Sequence, residues 1–98
     1  MSGMDNISLT VRTYRGGAGE DFMLPSDSVV VYENSGLVGA YLPPPIRGRH
    51  IRVVNATSSG LNVISRSQLD GVPGASINVV DWAHFLCDGV NWFTLGSL

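Results

Sequence analysis

Apolar and polar residues alternate along much of this chain, and turn-forming residues interrupt the alternation at short intervals. That is the pattern of strands with one buried face, not of helices, whose apolar positions recur three and four residues apart. Ile7, Leu9 and Val11 alternate with Ser8, Thr10 and Arg12, which predicts a first strand with the three apolar side chains inward. Arg15-Gly16-Gly17-Ala18-Gly19 ends it. Ser28 to Glu33 holds the run Val29-Val30-Val31-Tyr32, which suits a strand covered on both faces. Asn34-Ser35-Gly36 turns the chain into a strand from Leu37 to Leu42, stopped by Pro43-Pro44-Pro45 because proline cannot donate to a ladder.

From His50 to Asn55, Ile51 and Val53 share one face, with Arg52 and Val54 opposite. Thr57-Ser58-Ser59-Gly60 reads as a loop and Leu61 to Ser65 as the next strand. Asp70-Gly71 and Pro73-Gly74 are turn signals, with one short helical turn at most over Ser67 to Leu69. Strands are then expected over Ile77 to Val80, Ala83 to Cys87 and Trp92 to Leu95, the last two joined by Asp88-Gly89-Val90-Asn91. The pattern therefore predicts an all-β protein, a single small sandwich or jelly-roll-like domain of about eight antiparallel strands, with a small barrel as the variant. The domain covers 7–98, and the polar residues 1–6 form a flexible N-terminal arm that orders on binding a neighbour.

Length sharpens this picture. Ninety-eight residues fit one domain with a limited core, which association with other chains would supplement. Only 14% of the residues are charged against 44% hydrophobic, so much of the surface is uncharged and suited to contacts. The net charge of −2 argues against non-specific nucleic-acid binding. All six basic residues are arginine, the cation favoured at interfaces. No apolar stretch reaches the length of a membrane span, and the N-terminus lacks the pattern of a signal peptide. A soluble protein made in a cytoplasm is expected, so the glycosylation patterns at Asn6 and Asn55 are set aside.

Candidate chemistry adds little. Cys87 is the single cysteine, which excludes an intramolecular disulfide and fits a small buried hydrophobe in a strand. The glycines at 16–19 lack the Lys-Ser/Thr ending of a phosphate loop. His50 and His84 are far apart in sequence and neither has metal-ligand spacing, so each is expected to bond to backbone or solvent. His84 and Cys87, three apart on a strand, point to opposite faces. Asp70 and Asp88 precede glycine, as turn residues do, and no serine sits in a Gly-x-Ser-x-Gly elbow. No enzyme, cofactor, metal or small-molecule substrate is expected; a small hydrolase would need an acid–base pair, for which Asp81 and His84 are the residues to test. Trp82, Trp92 and Phe93 are expected in the core or at a subunit contact rather than as a stacking platform.

The second half also resembles a known module. Leu42-Pro43-Pro44-Pro45, the strand Gly48-Arg49-His50-Ile51-Arg52-Val53-Val54-Asn55, then Leu61-Asn62-Val63-Ile64, Leu69-Asp70-Gly71 and the closing Asp88-Gly89-Val90-Asn91-Trp92 are similar to the β-rich module of bacteriophage tail-fibre, head-fibre and capsid decoration (cement) proteins. The resemblance covers 37–95. It implies a β-rich fold that assembles as a homotrimer on a virion, with Asp88, Gly89 and Asn91 shaping the closing turn and Trp92 capping the core.

Because the module is nearly the whole chain, the first expectation is a capsid decoration protein. It would bind the outer surface of the shell, contact the major capsid protein or another virion protein, and stabilise the assembled state by binding only that state. The expected contact residues are Ser2, Asp5 and Asn6 of the arm with Arg47, Arg49 and Arg52. The alternative is a tail-fibre, spike or adaptor module contacting a receptor, glycan or other tail protein, with Tyr14, Tyr41 or Trp82 lining a groove. Either way the chain is expected in the virion after synthesis in the host cytoplasm, and neither nucleic acid nor membrane is a partner.

Overall fold

The computed structural model describes residues 10–16, 19–33 and 36–98. The arm residues Ser2, Asp5 and Asn6, and Ile7 and Leu9 of the expected first strand, lie outside the described residues. The protein is all-β, with no helix among the described residues. Among the described residues no helix is long enough and apolar enough to cross a membrane.

The chain forms β1 (Val11–Tyr14), β2 (Gly19–Phe22), β3 (Val29–Tyr32), β4 (Leu37–Tyr41), β5 (His50–Asn55), β6 (Leu61–Ile64), β7 (Gln68–Leu69), β8 (Val72–Pro73), β9 (Ser76–Val79), β10 (Trp82–Cys87) and β11 (Asn91–Ser97). One sheet has the order β1-β3-β5-β10-β11-β7-β8, the other β2-β4-β6-β9. The chain thus alternates between sheets, and each of the first three turns lays one strand on each. Within the sheets β1, β3 and β5 run parallel, as do β2, β4 and β6. This arrangement is solenoid-like for three coils. It corrects the expectation of antiparallel strands: alternation with a period of two fixes which face is buried but is the same for both pairing directions.

The rest of the chain closes the coils with antiparallel pairs. β9 lies against β6, and β10 runs between β5 and β11. Ser67 to Leu69 is no helical turn. It leads into a short hairpin, β7–β8, whose two turn residues Asp70 (φ 51°) and Gly71 (φ 87°) both take the left-handed conformation. That is a type I′ turn, whose twist matches the flanking strands.

The core lies between the sheets. Val30, Tyr32, Ile51, Val53, Ala83, Phe85, Cys87 and Trp92 from the larger sheet meet Ala40, Leu61, Val63 and Val79 from the smaller one. Trp92 is 1% exposed, and its indole N–H donates to the Pro43 carbonyl at 3.2 Å. This bond ties the closing strand to the proline segment after β4.

The first coil differs from expectation. Val11 is 60% exposed and Arg12 points inward, so the strand's phase is the reverse of the apolar pattern. The cause is an ionic cluster. Arg12 donates to both carboxylate oxygens of Asp21 (3.2 and 2.9 Å) and to Asp27 (3.2, 3.1 and 2.8 Å). Asp27, 1% exposed, also accepts from the Leu24 amide, and Tyr32 donates its hydroxyl to Asp21 at 2.7 Å. Burial opposes the charge on Arg12, but hydrogen bonds and charges from both aspartates outweigh it and hold the group above its ordinary pKa. Burial, then the bond to Asp21, raises the Tyr32 phenol. β2 itself was not visible in the sequence, because Gly19-Glu20-Asp21-Phe22 carries charges that read as loop.

Candidate functional site

The outer face of the larger sheet is the candidate site. In β5, Ile51, Val53 and Asn55 fill the interior, which turns His50, Arg52 and Val54 outward. In β10, Ala83, Phe85 and Cys87 point in and Trp82, His84 and Leu86 point out. The antiparallel register sets Trp82 opposite Val54, His84 opposite Arg52 and Leu86 opposite His50. His50 and His84 are therefore diagonal neighbours, close enough for their side chains to meet. Nδ1 of His50 lies 3.2 Å from Nε2 of His84, with the rings 5.3 Å apart. The expectation that each bonds only to backbone or solvent is corrected by this pairing. Thirty-four residues separate the two histidines, and only the β5–β10 register brings them together.

Ser28, Val29, His50, Arg52 and His84 line a cleft of about 270 Å³ on this face. His84 is pushed below the usual imidazole pKa by partial burial first, then by the charges of His50 and Arg52. The Arg52 guanidinium sits 5.0 Å from the centre of the Trp82 ring, a cation–π contact. The far edge of that ring covers Gly96, where a Cβ would stand 3.1 Å from Cη2. Trp82 is thus an outer-face residue held on both sides, not part of the inner core.

Around the cleft the face is apolar. Val11, Val29, Val31 and Val54 extend it to one side, and Leu86 and Phe93 to the other. A second, polar depression of about 350 Å³ lies elsewhere, lined by Thr57, Ser58, Ser59, Gly60, Asn78, Val80 and Asp81. Asn55 shapes its loop by donating to the Ser59 carbonyl (2.8 Å) and accepting from the Thr57 amide (2.9 Å). Asp81 lines this depression and His84 the outer-face cleft, so the structure does not bring that pair to one site.

The three arginines expected at one contact have different surroundings. Arg49 is half-buried and donates to the Asp27 carbonyl at 2.9 Å, while its Nε is buried without a partner. Arg52 stands on the outer sheet face, and Arg47 is exposed beside Gly89 in the turn before the last strand. In that turn Asp88 accepts from the amides of Val90 (3.0 Å) and Asn91 (2.8 Å), and Gly89 takes φ 106°. Those backbone bonds hold the Asp88 carboxyl below its usual pKa. The side-chain Oδ1 of Asn91 accepts from the Gly71 amide at 3.2 Å, linking the turn to the β7–β8 hairpin. Cys87 is buried and free. Tyr41, by contrast, is at the opposite sheet, stacked on Phe22 with centroids 4.7 Å apart and bonded to Glu20.

Among the described residues no group of three or more His, Cys, Asp or Glu converges on one point. Comparison with protein-family models, with curated proteins and with solved structures returns no match to this chain.

Proposed function

We propose that this chain is a non-catalytic structural subunit of a virion, and that copies of it pack through the outer face of the seven-stranded sheet. The observation that carries the reading is that face. Seven apolar side chains (Val11, Val29, Val31, Val54, Trp82, Leu86 and Phe93) share it with Arg52 and two histidines. Val11 and Phe93 are exposed and the other five half-buried; water contact with this apolar surface is unfavourable, and assembly would remove it. A homotrimer is the expected closed form, since a ring of identical subunits satisfies its own interfaces.

The phage setting rests on the sequence resemblance over 37–95. Two placements follow from it. A decoration protein on the capsid exterior would straddle junctions of the major capsid protein through Arg47 and the arm, and would stabilise only the assembled shell. A fibre, spike or adaptor module is the second placement, and the parallel coils favour it, because coils stack along one axis as an elongated shaft requires. Mass spectrometry of purified virions with copy counting tests the reading. Hundreds of copies are expected for decoration and a few dozen or fewer for a fibre; absence from the particle overturns both.

A further inference from the structure

We infer that His50 and His84 form a two-imidazole site for a first-row transition-metal ion on the outer face of the larger sheet. Two imidazole nitrogens bound at about 2.05 Å stand about 3.3 Å apart on a tetrahedral ion and about 2.9 Å apart at a right angle. The hydrogen bond between His50 Nδ1 and His84 Nε2 spans 3.2 Å, inside that range, and a bound ion would take the place of its shared proton. Either ring nitrogen of a histidine can bind a metal, and imidazole suits copper, nickel and zinc.

The frame is rigid. Each histidine lies on a central strand, with Ile51, Ala83 and Phe85 beside them packed into the core. The two rings therefore keep their spacing without help from a loop, which lowers the ordering cost of chelation. The cleft of about 270 Å³ above them, with Ser28 in its lining, leaves room for coordinated water. Copper(II) is the expected best ligand, because affinities of nitrogen sites rise to Cu²⁺ along the first row.

Arg52 decides between a cation and an anion. Among the described residues it is the one permanently charged side chain lining the cleft. Its charge opposes a bound metal and would assist a bound anion, so the same substitution has opposite effects on the two.

The test is a Cu²⁺ titration of the untagged chain, followed by electron paramagnetic resonance and by tryptophan fluorescence. Trp82 lies two residues from His84 on the same strand face, so bound copper quenches it. One ion per chain with two coordinated nitrogens is expected. His50→Ala and His84→Ala should each weaken binding by at least about tenfold, since even the loss of a supporting partner costs a metal site that much. Arg52→Gln should tighten it. Circular dichroism checks that each variant keeps its fold.

Binding unchanged by either histidine substitution, or no stronger than that of the double variant, overturns the site. Weaker copper binding in Arg52→Gln overturns it too. Sedimentation of the same samples keeps this separate from the assembly reading. A monomeric chain that shows the two-nitrogen signal supports the site alone, and a folded monomer, of the unaltered chain or of Phe93→Glu, that lacks it contradicts the site, since assembly through this face would cover the cleft.

Discussion

The interior of the first coil and the interior beneath β10 and β11 face the same problem and resolve it with opposite chemistry. Under the closing strands, Phe85, Cys87 and Trp92 bury apolar surface, and the lone polar group of Trp92 is satisfied by one backbone carbonyl. In the first coil, Arg12, Asp21, Asp27 and Tyr32 are brought inward and bonded to one another. An apolar interior tolerates small losses in proportion to the volume removed. A charged one depends on every partner, because a single deletion leaves an uncompensated charge away from water. The first coil is therefore specified tightly by few residues, and the closing end by many interchangeable ones.

That contrast can be broken most severely at Trp92. Trp92→Ala should cost about 3–5 kcal/mol by urea denaturation, whereas Trp92→Phe should retain most of the stability. A loss below 1 kcal/mol would remove Trp92 from the core argument. Next is Arg12. Arg12→Ala strands Asp21 and the nearly inaccessible Asp27, and should cost about 3 kcal/mol, at the lower end for a buried pair because the guanidinium is partly solvated. The matched control is Arg15→Ala, which breaks an exposed pair with Glu33 at 2.8 Å and should cost below about 1 kcal/mol. Equal losses in the two arginine variants would erase the distinction between the ionic interior and the surface.

The smallest effect concerns acid. Backbone hydrogen bonds keep the Asp88 carboxyl below the ordinary 3.8, so the folded protein prefers it ionised more than the unfolded chain does. Its contribution is present in full above that ordinary value and disappears as pH falls through the lower folded value. Asp88→Ala should be less stable than the unaltered protein at neutral pH, and the two stability curves should converge in strong acid. Curves that stay parallel would mean that the carboxylate does not hold the turn.

The same contrast explains what the sequence disclosed. Where the interior is apolar, alternation placed the strands closely: β5 was expected over His50 to Asn55 and occupies those residues. Val29 to Tyr32 likewise emerged as a strand with both faces shielded to some degree. Where the interior is charged, the same reasoning inverted the phase of β1 and overlooked β2, since Arg12 and Asp21 look like solvent-facing residues until their partners are known. Pairing direction was hidden for a different reason, because parallel and antiparallel ladders share the period of two. The histidine pair was hidden by register, which links residues 34 apart.

Assembly through the outer sheet face is tested most directly by sedimentation velocity on the unaltered chain, Phe93→Glu and Val38→Glu. Phe93 lies on the proposed contact face and Val38, 69% exposed, on the other sheet. The expected result is a trimer for the unaltered chain and for Val38→Glu, and a folded monomer for Phe93→Glu. A monomer in all three, or a trimer that Phe93→Glu leaves intact, would contradict the proposed interface.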